Sequence, residues 1–246
     1  MNNWTDKFPG GLFECNHVHI WRASLDYSKS KLNLLIGSLS KDEIERADRF
    51  YFEKDRIQFI VRRGILKQII SKYLEIDPKN LLFEYNRFGK PFLNSNSPKH
   101  DFRFNMSHSK NMALYCISHQ KEVGIDIEYI QKDIEFLQII DRFFSHNEKK
   151  FIQKIAFDKR KEAFFKIWTR KEAILKALGK GISFPLEKVD VSSNKDNFIT
   201  RINDNDYGQC TESSWYVKDL LVANNYVGSI AIEEKDSEIF LSHFTF

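Results

Sequence analysis

Residues 102–128 read FRFNMSHSKNMALYCISHQKEVGIDIE, and apolar and polar side chains alternate over three segments of this stretch. The segments are residues 102–106, 112–119 and 123–128. A period of two is typical of strands, because successive side chains of a strand point to opposite faces of a sheet. Together with residues 82–85, and with turns at residues 88–91 and 107–109, they predict an antiparallel sheet.

Helical patterns flank this strand block. Residues 53–73 carry an apolar stripe at helical spacing, and a second long helix is predicted over residues 158–178, closed by Gly179. Capping boxes of the form Ser-x-x-Glu are predicted at Ser40 with Glu43 and at Ser145 with Glu148. The remaining predictions are a strand over residues 17–21, a helix over 31–39, and strands over 188–193, 198–202, 215–222, 226–233 and 239–246.

The order of helices followed by strands therefore occurs twice, with the break near residue 120. Residues 62–67 (RRGILK) faintly resemble residues 170–176 (RKEAILK). The pattern leaves two alternatives open, because basic amphipathic helices look alike: an unrepeated α+β chain, or a duplicated α+β unit. A duplicated unit would place a natural cleft between its halves.

The charge balance excludes some functions. The 246 residues include 38 Lys and Arg against 34 Asp and Glu, a formal charge of +4. Because the charges are interleaved, a protein that coats nucleic acid is not expected, although a local basic pocket is permitted.

Cysteine usage and hydropathy favour the cytoplasm. Cys15, Cys116 and Cys210 are far apart and form no CxxC pair, so neither a disulfide framework nor a zinc site is expected. We recognise neither a signal peptide nor a membrane span in the sequence, and we expect a cytoplasmic protein that does not act at a membrane.

Asp126 and Glu128 form the sharpest local signal. On a strand, residues two apart share a face, so the two carboxylates lie side by side while Ile125 and Ile127 enter the core. One interpretation is an exposed polar edge strand. The other is a site for a hard cation such as Mg²⁺, which prefers carboxylate, water and phosphate oxygens.

Two further segments offer groups that could contact a phosphate. Glu172 and Lys176 lie four apart on a predicted helix and are either a surface ion pair or part of a metal–diphosphate site. Ser107 and His108 form either a plain turn or a hydroxyl and an imidazole for a phosphate. A hydrolase triad is disfavoured, since neighbouring side chains seldom face one another and no G-x-S-x-G elbow occurs.

Five segments taken in order carry a family resemblance. They are residues 89–91 (GKP), 104–109 (FNMSHS), 124–128 (GIDIE), 143–145 (FFS) and 168–176 (WTRKEAILK) followed by 179–181 (GKG). In this order and spacing the chain resembles the Sfp-type 4′-phosphopantetheinyl transferases, specifically over about residues 40–185. The resemblance implies an α+β pseudo-dimer of two similar halves, each with a small antiparallel sheet packed on helices. We expect a coenzyme A-binding half at residues 1–120 and a half for metal binding and carrier docking at residues 121–246.

The resemblance also implies the reaction. Phosphopantetheine is transferred from coenzyme A to a serine of an apo acyl or peptidyl carrier protein, and 3′,5′-ADP leaves. Asp126, Glu128 and Glu172 are expected to hold Mg²⁺, with Mn²⁺ as an alternative. Glu172 is the expected base, and Lys176 is expected to place a positive charge at the phosphates.

Coenzyme A contacts follow from the same resemblance. The expected ones are Arg46, Arg62, Lys90, Ser107, His108 and Lys176. The chain departs from the family at Glu43 and Gln58, where better-known members carry a lysine and an arginine that contact the 3′-phosphate. Arg62 or Arg63 is therefore expected to supply that contact.

The region that follows residue 133, including Phe143, Phe144 and Ser145, resembles the surface on which the carrier docks. An acidic carrier helix would suit a basic rim there, and a monomer is expected. Alternatives are a non-catalytic coenzyme A- or nucleotide-binding protein and an RNA-binding protein, the second disfavoured by the interleaved acids. The sequence does not identify the carrier, the pathway or the acyl forms of coenzyme A that are accepted.

Overall fold

The computed structural model describes residues 4–8, 16–94, 101–131, 135–181, 184–193, 195–203, 212–233 and 237–246. Cys15 and Cys210 lie outside these residues, and Cys116 is buried with a free thiol. No helix among them is both long enough and apolar enough to span a membrane.

The elements alternate between helical and stranded blocks. The helices are α1 (Lys29–Ile36), α2 (Lys41–Asp48), α3 (Glu53–Leu74), α4 (Leu137–Phe143), α5 (His146–Lys154) and α6 (Arg160–Leu178). The strands are β1 (His17–Ser24), β2 (Phe83–Tyr85), β3 (Pro91–Leu93), β4 (Phe102–Ser109), β5 (Met112–His119), β6 (Val123–Tyr129), β7 (Asn197–Asn203), β8 (Glu212–Leu220), β9 (Tyr226–Ile232) and β10 (Glu238–His243). Short 3₁₀ turns occur at Pro78–Asn80, Phe157–Lys159 and Leu186–Lys188.

The strands form two four-stranded sheets and one hairpin. The first sheet has the order β10-β1-β5-β4, and the second has the order β6-β9-β8-β7. All neighbours are antiparallel except β10, which comes from the end of the chain and runs parallel to β1. The prediction of one sheet over residues 82–128 is wrong, because β2 and β3 form a separate hairpin among the described residues and β6 belongs to the second sheet.

The two sheets lie between two layers of helices. Apolar residues of both sheets, including Ile20, Leu114, Ile125 and Ile230, share one buried cluster. The other face of the first sheet packs against α1, α2 and α3, and the other face of the second sheet packs against α4, α5 and α6. The predicted α+β fold of two similar halves is confirmed.

Each half ties the glutamate of its capping box to a fully buried lysine on its long helix. Lys67 Nζ lies 2.7 Å from Glu43 Oε2, and Lys171 Nζ lies 2.8 Å from Glu148 Oε2. Both capping boxes form as predicted, at Ser40 and Ser145. Because a buried charge is costly unless it is paired, these two ion pairs lock the helix starts onto α3 and α6.

Two local predictions are wrong. Residues 107–109 are the end of β4 and not a turn, because they pair with residues 112–114 of β5 and the chain reverses at Lys110, whose φ is 50°. Residues 188–193 form no strand. Lys171 Nζ donates to the carbonyls of Leu186 and Val189, and the Val191 nitrogen donates to Glu148. These hydrogen bonds hold the segment against α6.

Gly124 lets β6 lie directly on α6. A Cβ atom at this position would lie 2.0 Å from the carbonyl oxygen of Ala173 and 2.3 Å from the nitrogen of Ala177. The close approach places Asp126, on the same face of β6, beside Lys176 of α6. The packing of a strand on a helix therefore builds one wall of the candidate site.

Candidate functional site

A cleft of about 530 Å³ lies between the two halves. Its lining residues are Arg46, Phe59, Arg62, Arg63, Met106, Ser107, His108, Asp126, Glu128, Trp168, Glu172 and Lys176. The bases of α2 and α3, here called the arginine cluster, are Arg46, Arg62 and Arg63. The acids of β6 and α6, here called the carboxylate cluster, are Asp126, Glu128 and Glu172.

Asp126 is the most enclosed acid of the carboxylate cluster, with only 3% of its surface exposed. Its Oδ1 atom accepts from Lys176 Nζ at 2.6 Å and from Ser107 Oγ at 2.7 Å, and Lys176 also donates to Ser107 at 2.8 Å. Its Oδ2 atom is buried and has no hydrogen-bond partner. Half of this carboxylate is thus an open acceptor, which is unusual for a buried polar group.

The pKa values of Glu128 and Glu172 are raised by burial and by the negative charge of Asp126. Desolvation, followed by the charge of Asp126, raises the pKa of Glu128 to about 7, although a 2.9 Å hydrogen bond from Ser109 Oγ opposes the shift. Desolvation and the charge of Asp126 also raise the pKa of Glu172. Crowded carboxylates of this kind favour either protonation or a bound cation.

The carboxylate cluster has the chemistry of a hard-cation site but is not assembled as one. Among the described residues, no group of three or more His, Cys, Asp and Glu side chains is arranged to hold a metal ion. Lys176 supplies the positive charge at Asp126 Oδ1. The open Oδ2 atom and the all-oxygen donor set nevertheless fit Mg²⁺, which binds through one or two carboxylates together with substrate phosphates and water.

Arg62 and His108 border the cleft on the other side. Arg62 Nη1 contacts His108 Nε2, and Arg62 Nε donates to the carbonyl of Gln58 at 3.0 Å. Desolvation, followed by the charges of Arg62 and Lys176, lowers the pKa of His108 to about 4. His108 is therefore neutral near pH 7, and Arg62 carries the charge of this pair.

Arg63 is held rigidly and keeps one open donor. Its Nε lies 3.4 Å from Glu43 Oε1, and its Nη2 donates to the Tyr85 hydroxyl at 2.6 Å. Arg46 donates to the same hydroxyl at 3.0 Å. Arg63 Nη1 is buried without a partner, so Glu43, which interrupts the expected basic pattern, fixes a guanidinium at the cleft.

Lys90 does not line this cleft in the structure. Its ammonium bonds Glu122 Oε2 at 2.8 Å and the carbonyl of Ala177 at 2.9 Å. It lines a smaller adjoining cavity that also includes Glu172 and Lys176. The β2–β3 turn that carries it is anchored to α6 by Asn86, which donates to the carbonyl of Gly179 at 2.9 Å.

The aromatic residues expected at the docking surface have different environments. Phe144 is 1% exposed and belongs to the core. Phe143 is half-buried and packs edge-on against Trp168, with ring centroids 5.9 Å apart. Trp168 lines the cleft, so the pair connects α4 to the site.

The cleft thus brings together every predicted site residue except Lys90. Sequence reasoning missed Ser109 and Tyr85, which contact Glu128 and the arginines, and it did not choose between Arg62 and Arg63. The spacing of Ser107 and Ser109 could have revealed the first, since residues two apart on a strand share a face as Asp126 and Glu128 do.

Two open atoms define the class of ligand. Among the described residues, the buried side-chain polar atoms without a partner are Arg63 Nη1, Asp126 Oδ2 and Ser237 Oγ. Arg63 and Asp126 both line the same cleft, and their side chains are of the kinds that bind an anion and a cation, respectively. Such a cleft is suited to a phosphate ester that binds together with a divalent metal ion.

Comparison with known proteins identifies the family. Residues 122–231 match the model of the 4′-phosphopantetheinyl transferase superfamily, and residues 21–120 match that of the 4′-phosphopantetheinyl transferase N-terminal domain. The chain is 33% identical to the 4′-phosphopantetheinyl transferase HetI of Nostoc sp., over 94% of each protein. It is 27% identical to the 4′-phosphopantetheinyl transferase Sfp of Bacillus subtilis, over 85% of this chain and 88% of Sfp.

The chain therefore belongs to the 4′-phosphopantetheinyl transferase superfamily and is a transferase. Members of this family transfer the phosphopantetheine group of coenzyme A to carrier proteins. A non-catalytic binding protein is not favoured.

Proposed function

We propose that the chain transfers 4′-phosphopantetheine from coenzyme A to a serine hydroxyl of an apo acyl or peptidyl carrier protein, with release of 3′,5′-ADP. The observation that carries this proposal is that Arg63 and Asp126, each with one side-chain atom that has no hydrogen-bond partner, line one cleft. Coenzyme A with a divalent cation supplies a partner for each. Buried polar groups are otherwise satisfied within a protein.

We assign the cation to Asp126, Glu128 and Glu172, with Mg²⁺ as the natural ion and Mn²⁺ as an alternative. When bound, the ion would offset negative charge on the phosphates that react and leave. Lys176 already lies 2.6 Å from Asp126 Oδ1 and 2.8 Å from Ser107 Oγ. Its ammonium is therefore fixed where it can stabilise charge on the same phosphates.

We assign the base to Glu172. The serine oxygen bonds to the β-phosphorus, the bond from that phosphorus to the bridging oxygen of 3′,5′-ADP breaks, and the serine proton passes to Glu172 directly or through a water. Glu172 lines the cleft together with Asp126 and Lys176, so its carboxylate lies next to the proposed reacting centre.

We assign the phosphates of coenzyme A to residues of both halves. Arg46, Arg62 and Arg63 are the candidates for the 3′-phosphate, because they are permanently charged and Arg63 keeps an open donor. Ser107 and His108 line the route from the arginine cluster to Asp126. Lys90 reaches a phosphate only if its ammonium leaves Glu122.

We place the carrier on the face formed by α4 and α5. The exposed charges of α5 include Lys150 and Lys154, whereas its one acid, Glu148, is fully buried. An apolar groove of about 680 Å³ adjoins this helix and is flanked by Leu137 and Phe157, which are 69% and 86% exposed. An acidic helix with an apolar tip fits such a surface.

The docking assignment predicts a selective loss of carrier binding. The double variant Lys150→Glu/Lys154→Glu should raise the KM for the carrier about ten-fold and leave the KM for coenzyme A unchanged. Lys79→Glu, also at an exposed lysine, is the matched control. Equal KM values for the carrier in both variants would contradict the assignment of carrier docking to this face.

We further propose that one chain in the cytoplasm carries the complete site as a monomer. Both walls of the cleft come from the same chain, with the coenzyme A residues in the half at 1–120 and the metal residues in the half at 121–246. The free thiol of Cys116 is consistent with a reducing compartment.

The direct test is the intact mass of a carrier protein. Apo acyl and peptidyl carriers incubated with the chain, coenzyme A and Mg²⁺ should each gain the mass of one phosphopantetheine group, and EDTA should prevent the gain. Tight binding of coenzyme A without any mass gain on several carriers would instead favour a non-catalytic binding protein.

A further inference from the structure

β4 and β6 face each other as edge strands of different sheets. An edge strand leaves main-chain groups unpaired, and here side chains of β4 satisfy them. Asn105 Oδ1 accepts from the Ile125 nitrogen at 3.1 Å, and Ser109 Oγ accepts from the Tyr129 nitrogen at 3.0 Å. The two halves are therefore joined along this seam by side chains of the first half.

Along the same contact between β4 and β6, each of the two carboxylates of β6 accepts a hydrogen bond from a serine of β4. Ser107 Oγ donates to Asp126 Oδ1 at 2.7 Å, and Ser109 Oγ donates to Glu128 Oε2 at 2.9 Å. Both pairs are two residues apart on their strands, so Ser107-x-Ser109 matches Asp126-x-Glu128 in register. Because Ser109 also accepts from the Tyr129 nitrogen, its hydroxyl proton is directed at Glu128.

We propose that Ser109 is a positioning residue for the cation site: its hydroxyl, carried by the first half, fixes the orientation of the Glu128 carboxylate, carried by the second. The proposal rests on the proposed cation assignment. A carboxylate held by a hydrogen bond outside the metal's own ligands binds the ion with less reorganisation, and loss of such a partner typically lowers metal affinity ten-fold or more. Ser109 has no expected contact with coenzyme A.

The test is Mn²⁺ binding to the complete chain without coenzyme A, measured by electron paramagnetic resonance. Ser109→Ala should weaken Mn²⁺ binding about ten-fold, and Ser109→Thr, which keeps the hydroxyl, should restore most of it. Ser118→Ala is the matched control, because Ser118 is fully buried on the neighbouring strand β5 and donates to the carbonyl of Lys121 at 2.6 Å. Coenzyme A affinity in EDTA should be equal in all four proteins.

The outcomes separate this inference from the proposed function. Wild-type Mn²⁺ affinity in Ser109→Ala, or an equal loss in Ser118→Ala, would overturn the positioning role and leave the cation site standing. Absence of Mn²⁺ binding to the wild-type chain would overturn the cation assignment and the inference with it.

Discussion

The arginine cluster and the carboxylate cluster each present one buried atom without a partner, but they are held in different ways. Arg63 is fixed by Glu43 and Tyr85, which belong to its own half of the chain. Asp126 and Glu128 accept hydrogen bonds from serines of the other half, and Asp126 also accepts one from Lys176 of its own half. The partners that hold the proposed anion site thus come from one half, whereas those that hold the proposed cation site come from both.

The largest expected effect is on the carboxylate cluster. Asp126→Asn removes the charge that pairs with Lys176 and the open oxygen proposed for the cation. Carrier modification at saturating Mg²⁺ should fall about a thousand-fold, the size of effect found when a group that stabilises transition-state charge is lost. Steady-state rates by intact-mass analysis measure this.

Glu238→Gln is the control for Asp126→Asn, since Glu238 is an exposed acid on β10 outside the cleft. It should retain the wild-type rate. A wild-type rate in Asp126→Asn at limiting Mg²⁺ would mean that the carboxylate cluster has been misassigned.

A second prediction concerns the close packing of the elements that carry the two clusters, at Gly124 on β6 and at Gly64 on α3. Gly124→Ala would push a Cβ atom against the main chain of Ala173 and Ala177, which cannot move without displacing α6. Its free energy of unfolding should fall by about 3 kcal/mol. Gly64→Ala on α3 is the matched comparison, because its Cβ atom would meet the Leu35 side chain at 2.8 Å and alanine favours a helix.

Urea denaturation of both glycine variants measures the difference. The loss for Gly64→Ala should be smaller than that for Gly124→Ala. A larger loss at Gly64 would show that the close packing of β6 on α6 is not the more demanding contact.

The smallest expected effect is the pH dependence at His108. Its pKa of about 4 in the folded chain lies below the ordinary value of 6.5, so the unfolded chain binds more protons between these pH values. The free energy of unfolding should therefore decrease as the pH falls from about 6.5 towards 4, and His108→Gln should flatten this decrease slightly.

His19 provides the comparison for His108. It is 4% exposed, lies outside the cleft, and has a pKa lowered to about 4 by burial and then by His17. His19→Gln should flatten the decrease about as much as His108→Gln, because both imidazoles have a pKa lowered to about 4. No flattening by His108→Gln would contradict the neutral His108 described above.

Much of the fold could be predicted from the sequence because its local signals are strong. The apolar residues at helical spacing in α3 and the capping boxes at Ser40 and Ser145 are local features that indicate helices. The partition of strands between two sheets and the return of β10 to β1 could not be predicted, since strand pairing depends on contacts distant in the chain.

The candidate site, like the fold, could be predicted from the sequence only in part. Asp126, Glu128 and Glu172 follow from residue type and spacing, but the partners of Arg63 and Glu128 come from other elements. The prediction of a turn at residues 107–109 is wrong for this reason: serine is a typical turn residue, and pairing with residues 112–114 of β5 keeps this segment extended.

The most direct test compares Arg63→Met with Asp126→Asn in two binding titrations. In EDTA, Arg63→Met should lose about ten-fold or more of the preference for coenzyme A over 3′-dephospho-coenzyme A, the size expected for a hydrogen bond to a charged group. It should bind Mn²⁺ normally. Asp126→Asn should keep that preference and lose Mn²⁺ affinity. If each variant lost both properties, or if Asp126→Asn alone changed the preference, separate anion and cation sites in one cleft would be contradicted.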